Sequence, residues 1–420
     1  MSAPTDIPLV PERDQPLEAW LATLATRGEP WAPLLRAEES AQRARGYFHT
    51  LREVTQQPLL WPETAALLGR LAPRLRDFIE RSGVSQDAGG TILLTGSGSS
   101  LYAAECVAPG LQEAYGLPVR AVSPDILLTQ PGACLPAKRP VLVVSIARSG
   151  SSPESCGVVD RLLESHPNCV HMVLTCNADG SLARRYTNNP RVERVILDDR
   201  TNDRSLVMTS SFTNLVVAAA ALGHLRKPEP YVASITDLAR AATGVLERNA
   251  PAVGTLALKD SPAAVFLGSG SRRGAAQEAG LKLLEMTSGA VSTLAEGFLG
   301  LRHGPMAAVH GDTLVVCFLS YEPSARAYEC DLIRELDRKG LGGARLLAGG
   351  GIPEDLARPE DVVVDWGSPS EAGSDAVPIL PVVVGQMLAL FRCLKSGAKP
   401  DSPSPDGVIS RVVEDFQLHR

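Results

Sequence analysis

Short apolar, β-rich runs separated by helical stretches occur in two successive sets along this chain, and nothing else in the sequence restricts its fold as strongly. In the first half the runs are TILLT (Thr91 to Thr95), VRAV (Val119 to Val122), VLVVS (Val141 to Ser145), HMVLT (His171 to Thr175) and RVIL (Arg194 to Leu197). In the second they are AVFLG (Ala264 to Gly268), AVSTL (Ala290 to Leu294), TLVVCFL (Thr313 to Leu319), ARLLA (Ala344 to Ala348) and DVVVD (Asp361 to Asp365). Strands alternating with helices build βαβ units, and near-continuous apolar strands belong to parallel sheets covered on both faces. The turns repeat as well: LLTGSGSSLYAA from Leu93 corresponds to FLGSGSRRGAA from Phe266, and each half closes on an apolar helix, Ser205 to Leu225 and Leu380 to Lys395. Two similar α/β domains are therefore expected. Their boundary is expected between Arg226 and Ala263, where Pro228, Pro230 and a polar helix from Ser234 to Asn249 join the halves. The segment ahead of them reads as mainly helical after a Pro-rich start, with Trp20, Trp31, Leu34 and Leu35 as apolar anchors.

Chemistry concentrates at two turns of the first half. In VSIARSGSSPE, ending at Glu154, an apolar strand runs into a hydroxyl-rich turn and then a helix start, with Ser152 as cap and Pro153 at the first helical position. Serine hydroxyls, free N–H groups and the positive end of the helix dipole can together hold a phosphoryl group without a lysine. An ordinary capped turn is the plainer alternative. A second such turn, GSGSS from Gly96 to Ser100, also follows a strand. Two of them at neighbouring carboxyl ends of a parallel sheet point to a small anionic ligand. The second half has SYEPS at Ser320 instead, so the cluster is explained by ligand binding better than by the fold. What that half offers is KLLEMTSG from Lys282 and GLRHGP from Gly300 to Pro305. Glu285, in an otherwise apolar helix segment, and His303, in a glycine- and proline-marked turn, are the titratable candidates. A solvent-facing glutamate and an ordinary loop histidine are the alternatives.

Several classes are excluded. The balance of 41 basic against 47 acidic residues gives a net charge of −6, and no dense basic run suggests nucleic acid. The most apolar stretches, Leu215 to Leu222 and Val377 to Phe391, fall short of the roughly 18 apolar residues of a membrane span. The first thirty residues do not read as a signal peptide. Eight scattered cysteines, with neither Cys-x-x-Cys nor zinc-type spacing, read as small buried thiols of a cytoplasmic protein without a metal. The Gly-x-Gly pairs are not a dinucleotide fingerprint, because Leu101 and Arg273 occupy the third glycine's place and Gly274 falls one residue late. Neither serine turn fits Gly-x-Ser-x-Gly.

From about residue 45 onward these residues resemble the sugar isomerase (SIS) superfamily of phosphosugar-binding proteins. TGSGSS and ARSGSSPES are similar to its two phosphate-binding serine turns, and KLLE with LRHGP resembles the isomerase half of glucosamine-6-phosphate synthase. REVTQQPLLWPE at Arg52, SLVMTSSFTN at Ser205 and PDSPSPDGVISRVV at Pro400 resemble the double-domain branch of galactosamine-6-phosphate deaminase/isomerases and tagatose-6-phosphate ketose/aldose isomerases. The resemblance implies two tandem three-layer α-β-α SIS domains with parallel sheets at 71–233 and 234–400, after a helical segment at 1–70 and before a tail at 401–420 that closes the site. It makes Ser100 and Ser149 phosphate-contacting residues, with Ser99, Ser151 and Ser152 contributing from the same turns. Glu285 becomes the proton shuttle between sugar carbons C1 and C2, and His303 the ring-opening group lent by a neighbouring subunit, hence a homodimer with shared sites. The implied activity is conversion of galactosamine 6-phosphate or a related hexosamine 6-phosphate to the ketose 6-phosphate plus ammonia. It needs no cofactor and no nucleic-acid or membrane partner. A tagatose/fructose 6-phosphate aldose–ketose isomerase is the nearest alternative, and a non-catalytic phosphosugar-binding regulator is the alternative of another class. Departures stand out as well, the first being a stretch between Glu285 and His303 that is longer than in the synthase. The synthase's ring-opening lysine has no counterpart in SPSPDGVISRVV, where neither Arg411 nor nearby Lys399 takes that role. Arg148 replaces a polar amide and is expected to pair with phosphate or with Glu154.

Overall fold

The structure, a computed structural model, describes residues 15–367, 377–412 and 417–419; the Pro-rich start falls almost wholly outside them. Ten strands form two parallel five-stranded sheets. The first contains β1 (Thr91–Thr95), β2 (Val119–Ala121), β3 (Val141–Ala147), β4 (Cys169–Thr175) and β5 (Val192–Ile196) in the order β2-β1-β3-β4-β5. The second contains β6 (Ala263–Gly268), β7 (Ser292–Glu296), β8 (Leu314–Phe318), β9 (Ala344–Gly349) and β10 (Val362–Asp365) in the order β7-β6-β8-β9-β10. Both orders are the same doubly wound pattern, whose switch point lies between the first and third strands of each set. Every expected run is a strand. β7 opens later than alternation suggests because the Arg272–Met286 helix is followed by Ser288 and Gly289, both at positive φ, before the chain can extend.

One apolar cluster extends from the N-terminal helices through residues of both sheets to the closing helix of the second half, whereas three smaller clusters lie beneath the remaining helices. The Ser210–Ala220 helix is buried on every side, and Ile379–Lys395 nearly so; both are largely apolar, and the buried Ser211, Thr213 and Asn214 of the first are hydrogen-bonded. The N-terminal segment is bound into this body. Trp31 Nε1 donates to the Leu246 carbonyl at 2.6 Å and Trp20 Nε1 to that of Thr55 at 2.9 Å.

Two of the boundaries expected from sequence lie within continuous helices. Positions 70 and 233 fall inside the Gln57–Arg81 and Pro228–Arg248 helices, which pack on each other. The joining helix is not simply polar: it buries Ile235, Leu238, Ala242, Val245 and Leu246 at helical spacing.

A close crossing of two helices couples the halves. A Cβ on Gly274, in the Arg272–Met286 helix, would lie 2.6 Å from the Tyr102 carbonyl oxygen and 2.8 Å from the Cys106 nitrogen of the Ser99–Tyr115 helix. The glycine that missed the dinucleotide register is thus required for backbone approach between the two halves. All eight cysteines are buried free thiols, and no helix among the described residues is long and apolar enough to cross a membrane.

Candidate active site

Both serine turns leave carboxyl ends of adjacent strands. From β1 the chain passes Gly98, at φ 55°, into Ser99 and Ser100 at the start of a helix. From β3 it passes Gly150, at φ 60°, and enters the Pro153–Ser165 helix behind Ser152. Those left-handed bends turn the chain sharply enough for the two turns to face one cavity of about 450 Å³. Its walls include Ser97, Ser99, Ser100, Ser149, Ser152 and Ser155. Ser151 is not among the lining residues: its hydroxyl donates to the Ser149 carbonyl and accepts from the Ser181 backbone N–H, both at 3.4 Å. Ser155, one helical turn on from Ser152 and 2.8 Å from its hydroxyl, faces the cavity instead.

The second half supplies the remaining chemistry through the helix crossing. Glu285 reaches the cavity from the Arg272–Met286 helix with its side chain 21% exposed, so it is not the solvent-facing glutamate of the plainer reading. Beside it lies a residue that sequence reasoning missed. Lys282 Nζ, fully buried, is 2.5 Å from Glu285 Oε2, 3.1 Å from Ser99 Oγ and 3.3 Å from Glu278 Oε1. Burial pushes the Glu278 carboxyl up to about 8, against the opposing pull of Lys282. Burial acts to lower the Lys282 pKa, but the two carboxylates outweigh it and the ammonium is held above its ordinary value. Glu278, Lys282 and Glu285 share one helical face in the segment EAGLKLLE, a spacing that by itself suits a solvated helix surface equally well.

Arg148 does not pair with Glu154. Its Nη1 donates to the Leu206 carbonyl at 2.8 Å and its Nη2 to that of Arg411 at 2.6 Å, while Glu154 accepts from Ser97 Oγ at 3.0 Å. Arg148 is 7% exposed, lines the cavity, and its Nε is buried without a hydrogen-bond partner. The tail forms the facing wall through Val408 to Val412. Arg411 holds it there, donating through Nε to the Asp203 carbonyl at 3.0 Å and through Nη2 to Asn202 Oδ1 at 2.9 Å. Lys399 packs against Gly46 and is not among the lining residues. His303 is exposed in the turn before Pro305, and within one chain the fold does not bring it to the cavity lining. Among the described residues, no group of three or more His, Cys, Asp or Glu side chains is placed to hold a metal ion.

No family model matches the chain. Among curated proteins it is 37% identical over 380 residues to a Streptomyces coelicolor protein provisionally named D-galactosamine-6-phosphate deaminase AgaS, covering 88% of this chain and 95% of that one. It is 32% identical to D-galactosamine-6-phosphate deaminase AgaS of Escherichia coli O157:H7, with the same coverages. Among solved structures, tagatose-6-phosphate ketose/aldose isomerase from Escherichia coli superposes with a TM-score of 0.78 at 29% identity, covering 89% of this chain and 98% of that one. Identity at this level over nearly the whole of both chains, on the same pair of sheets, means that the protein belongs to the D-galactosamine-6-phosphate deaminase AgaS family, within the sugar isomerase superfamily.

Proposed function

We propose that this protein converts galactosamine 6-phosphate, or a related hexosamine 6-phosphate, to the ketose 6-phosphate with release of ammonia. One observation carries the reading: Lys282 joins the serine turns of one half to the carboxylate of the other, so a phosphate anchor and a proton-transfer group share one cavity. The AgaS relatives are named for deamination of this substrate.

In this reading Ser99, Ser100, Ser149 and Ser152 and the helix N-termini behind them bind the phosphate, with Ser155 and the Arg148 guanidinium beside them. Anchoring that end fixes the far end of the open-chain sugar near Glu285. Glu285 takes the proton from C2 of the aldose, leaving an enolamine across C1 and C2, and returns it to C1 as an N–H proton passes to O1. The nitrogen then stands on C2 as an imine. Water adds to that carbon, the C–N bond breaks, and ketose and ammonia leave. Lys282 holds the Glu285 carboxylate in place and stabilises its charge. Ring opening falls to His303 of a second copy, which its exposed loop can present, so the active unit is a homodimer with shared sites. Eight free thiols suit a reducing compartment such as the cytoplasm.

Aldose–ketose isomerisation is the second reading, supported by the names of the structural neighbours. It uses the same shuttle with a hydroxyl on C2. Ammonia and ketose 6-phosphate measured in the same samples, with galactosamine 6-phosphate and glucosamine 6-phosphate as substrates, separate the two. Matched release of both products is expected; no ammonia from either sugar, with isomerisation of tagatose 6-phosphate, would replace the first reading by the second.

A further inference from the structure

The second sheet has its own pair of turns at the corresponding switch point. Leu267 pairs with Cys317 as Thr95 pairs with Ser145, so equal steps along the strands set Gly270 against Gly98, Arg272 against Ser100 and Ser320 against Arg148. Gly98 and Gly270 even share their backbone twist, at φ 55° and 56°. The first of the two turns therefore recurs in backbone, whereas the second is shorter, with Pro323 three residues after Ser320 against Pro153 five after Arg148, and has no counterpart of Gly150.

Glu329, on the Pro323–Arg338 helix, is completely buried. Counted from the proline that opens each helix, it stands where the first half has the apolar Val159. Its Oε2 accepts from the Ser320 backbone N–H at 2.7 Å, and Arg326 Nε lies 4.0 Å away. Burial raises its pKa, opposed by that N–H and by the Arg272 guanidinium, which occupies the place of the cradle serine Ser100. Oε1 is buried without a hydrogen-bond partner. One backbone N–H thus donates to this carboxylate and two guanidinium groups lie around it, with the Arg326 N–H groups spent on the Ser320, Gly350 and Gly351 carbonyls, a positive setting that also suits an oxyanion.

We propose that the Glu329 carboxylate is the resident anion of the second cradle, occupying the place of an external oxyanion and limiting each chain to one phosphosugar. The inference rests on the anion-binding role assigned to the first cradle, but not on deamination. It explains how a duplicated fold carries one site. A helix position that stays apolar where the cradle is open carries a built-in carboxylate where it is closed.

Inorganic phosphate is the probe, with chloride at matched ionic strength as control, and thermal unfolding and calorimetric titration as readouts on the full chain. Ser149→Ala weakens the first cradle, so that variant is expected to lose most of its phosphate-specific stabilisation. Adding Glu329→Ala is expected to restore it: a single site per chain, bound roughly tenfold or more tighter than in Ser149→Ala alone, with a midpoint that rises with the logarithm of phosphate concentration. A second phosphate site per chain, in Ser149→Ala alone or in wild type, would show the second cradle already open and overturn the proposal. So would a folded double variant that ignores phosphate. If Glu329→Ala does not fold in chloride, refolding in phosphate should recover it. Should both buffers fail, Glu329→Gln in the Ser149→Ala background decides: it keeps an acceptor for Ser320 but no charge, so it should fold with a midpoint below that of Ser149→Ala that phosphate raises no more than it does there. A midpoint equal to that of Ser149→Ala would show that no anion is needed there.

Discussion

Lys282 is a buried ammonium that two carboxylates hold in place, and its surroundings separate its contribution to folding from its contribution to chemistry. Removing one member of a buried ion cluster leaves the others unpaired, at about 3–5 kcal/mol. Lys282→Met should therefore lower the urea-derived stability by that amount and abolish ammonia release. Removing a second charge with it, in Lys282→Met/Glu278→Leu, should recover most of the stability and none of the turnover, because the replacement pair is apolar but Glu285 has lost its partner. Recovery of turnover in the double variant would show that Lys282 matters only for folding. Glu285 was legible in sequence because a carboxylate interrupts an apolar helix segment. Lys282 was not, since a lysine three residues before a glutamate is also the pattern of a solvated helix surface, and buried lysines are rare. Only the close crossing at Gly274 reveals which way that face points.

At the scale of elements, the loop preceding the Ser210–Ala220 helix is where the N-terminal helices, the serine turns and the tail meet. Glu53, on the Phe48–Thr55 helix, accepts from the backbone N–H groups of Arg204 and Ser205. Asp203 accepts from Thr209, Ser210 and Ser211 at the start of the next helix, and its carbonyl receives Arg411. Burial first, and then the neighbouring Asp203 carboxylate, push Glu53 up to about 8. A carboxyl whose folded pKa is raised gives stability that is complete below its unfolded value near 4.5 and lost as pH climbs through about 8. Urea midpoints should accordingly fall between pH 5 and pH 8, and Glu53→Gln, which keeps an acceptor for both N–H groups, should flatten that fall. An unchanged slope in Glu53→Gln would assign it to other groups. The same junction sets the tail: Arg411→Ala should raise KM for the phosphosugar several-fold with a smaller change in kcat, because it frees a cavity wall without touching the reacting carbons. Equal losses in both constants would place Arg411 in the chemistry. The segments around Arg52, Ser205 and Pro400 stood out in the sequence, but their convergence did not. Periodicity reports a segment's own faces and is silent about partners some 150 or more residues away.

For the whole molecule, all ten strands could be read from apolar runs and their flanking turns, and the repeated Gly-Ser-Gly-Ser turns announced that the two sheets would share a design. The boundaries could not. Helices Gln57–Arg81 and Pro228–Arg248 present one apolar stripe to each other and one polar stripe to water, so nothing in composition marks the joint as part of the body. His303 is exposed and away from the cavity lining of its own chain. If a second copy supplies it, His303→Ala and Glu285→Gln homodimers should each be inactive, while subunits mixed and re-associated should regain activity; mixtures as inactive as the parents would place ring opening within one chain. The account as a whole stands on a division of labour across the two halves, with phosphate held by the first and the proton moved by the second. Its most direct test is calorimetric binding and ammonia release with galactosamine 6-phosphate, measured side by side for wild type, Glu285→Gln and Ser149→Ala. Glu285→Gln should bind as wild type does and release ammonia about 100-fold or more slowly, and Ser149→Ala should turn over only at raised substrate concentration. Ammonia release at the wild-type rate by Glu285→Gln would contradict the account.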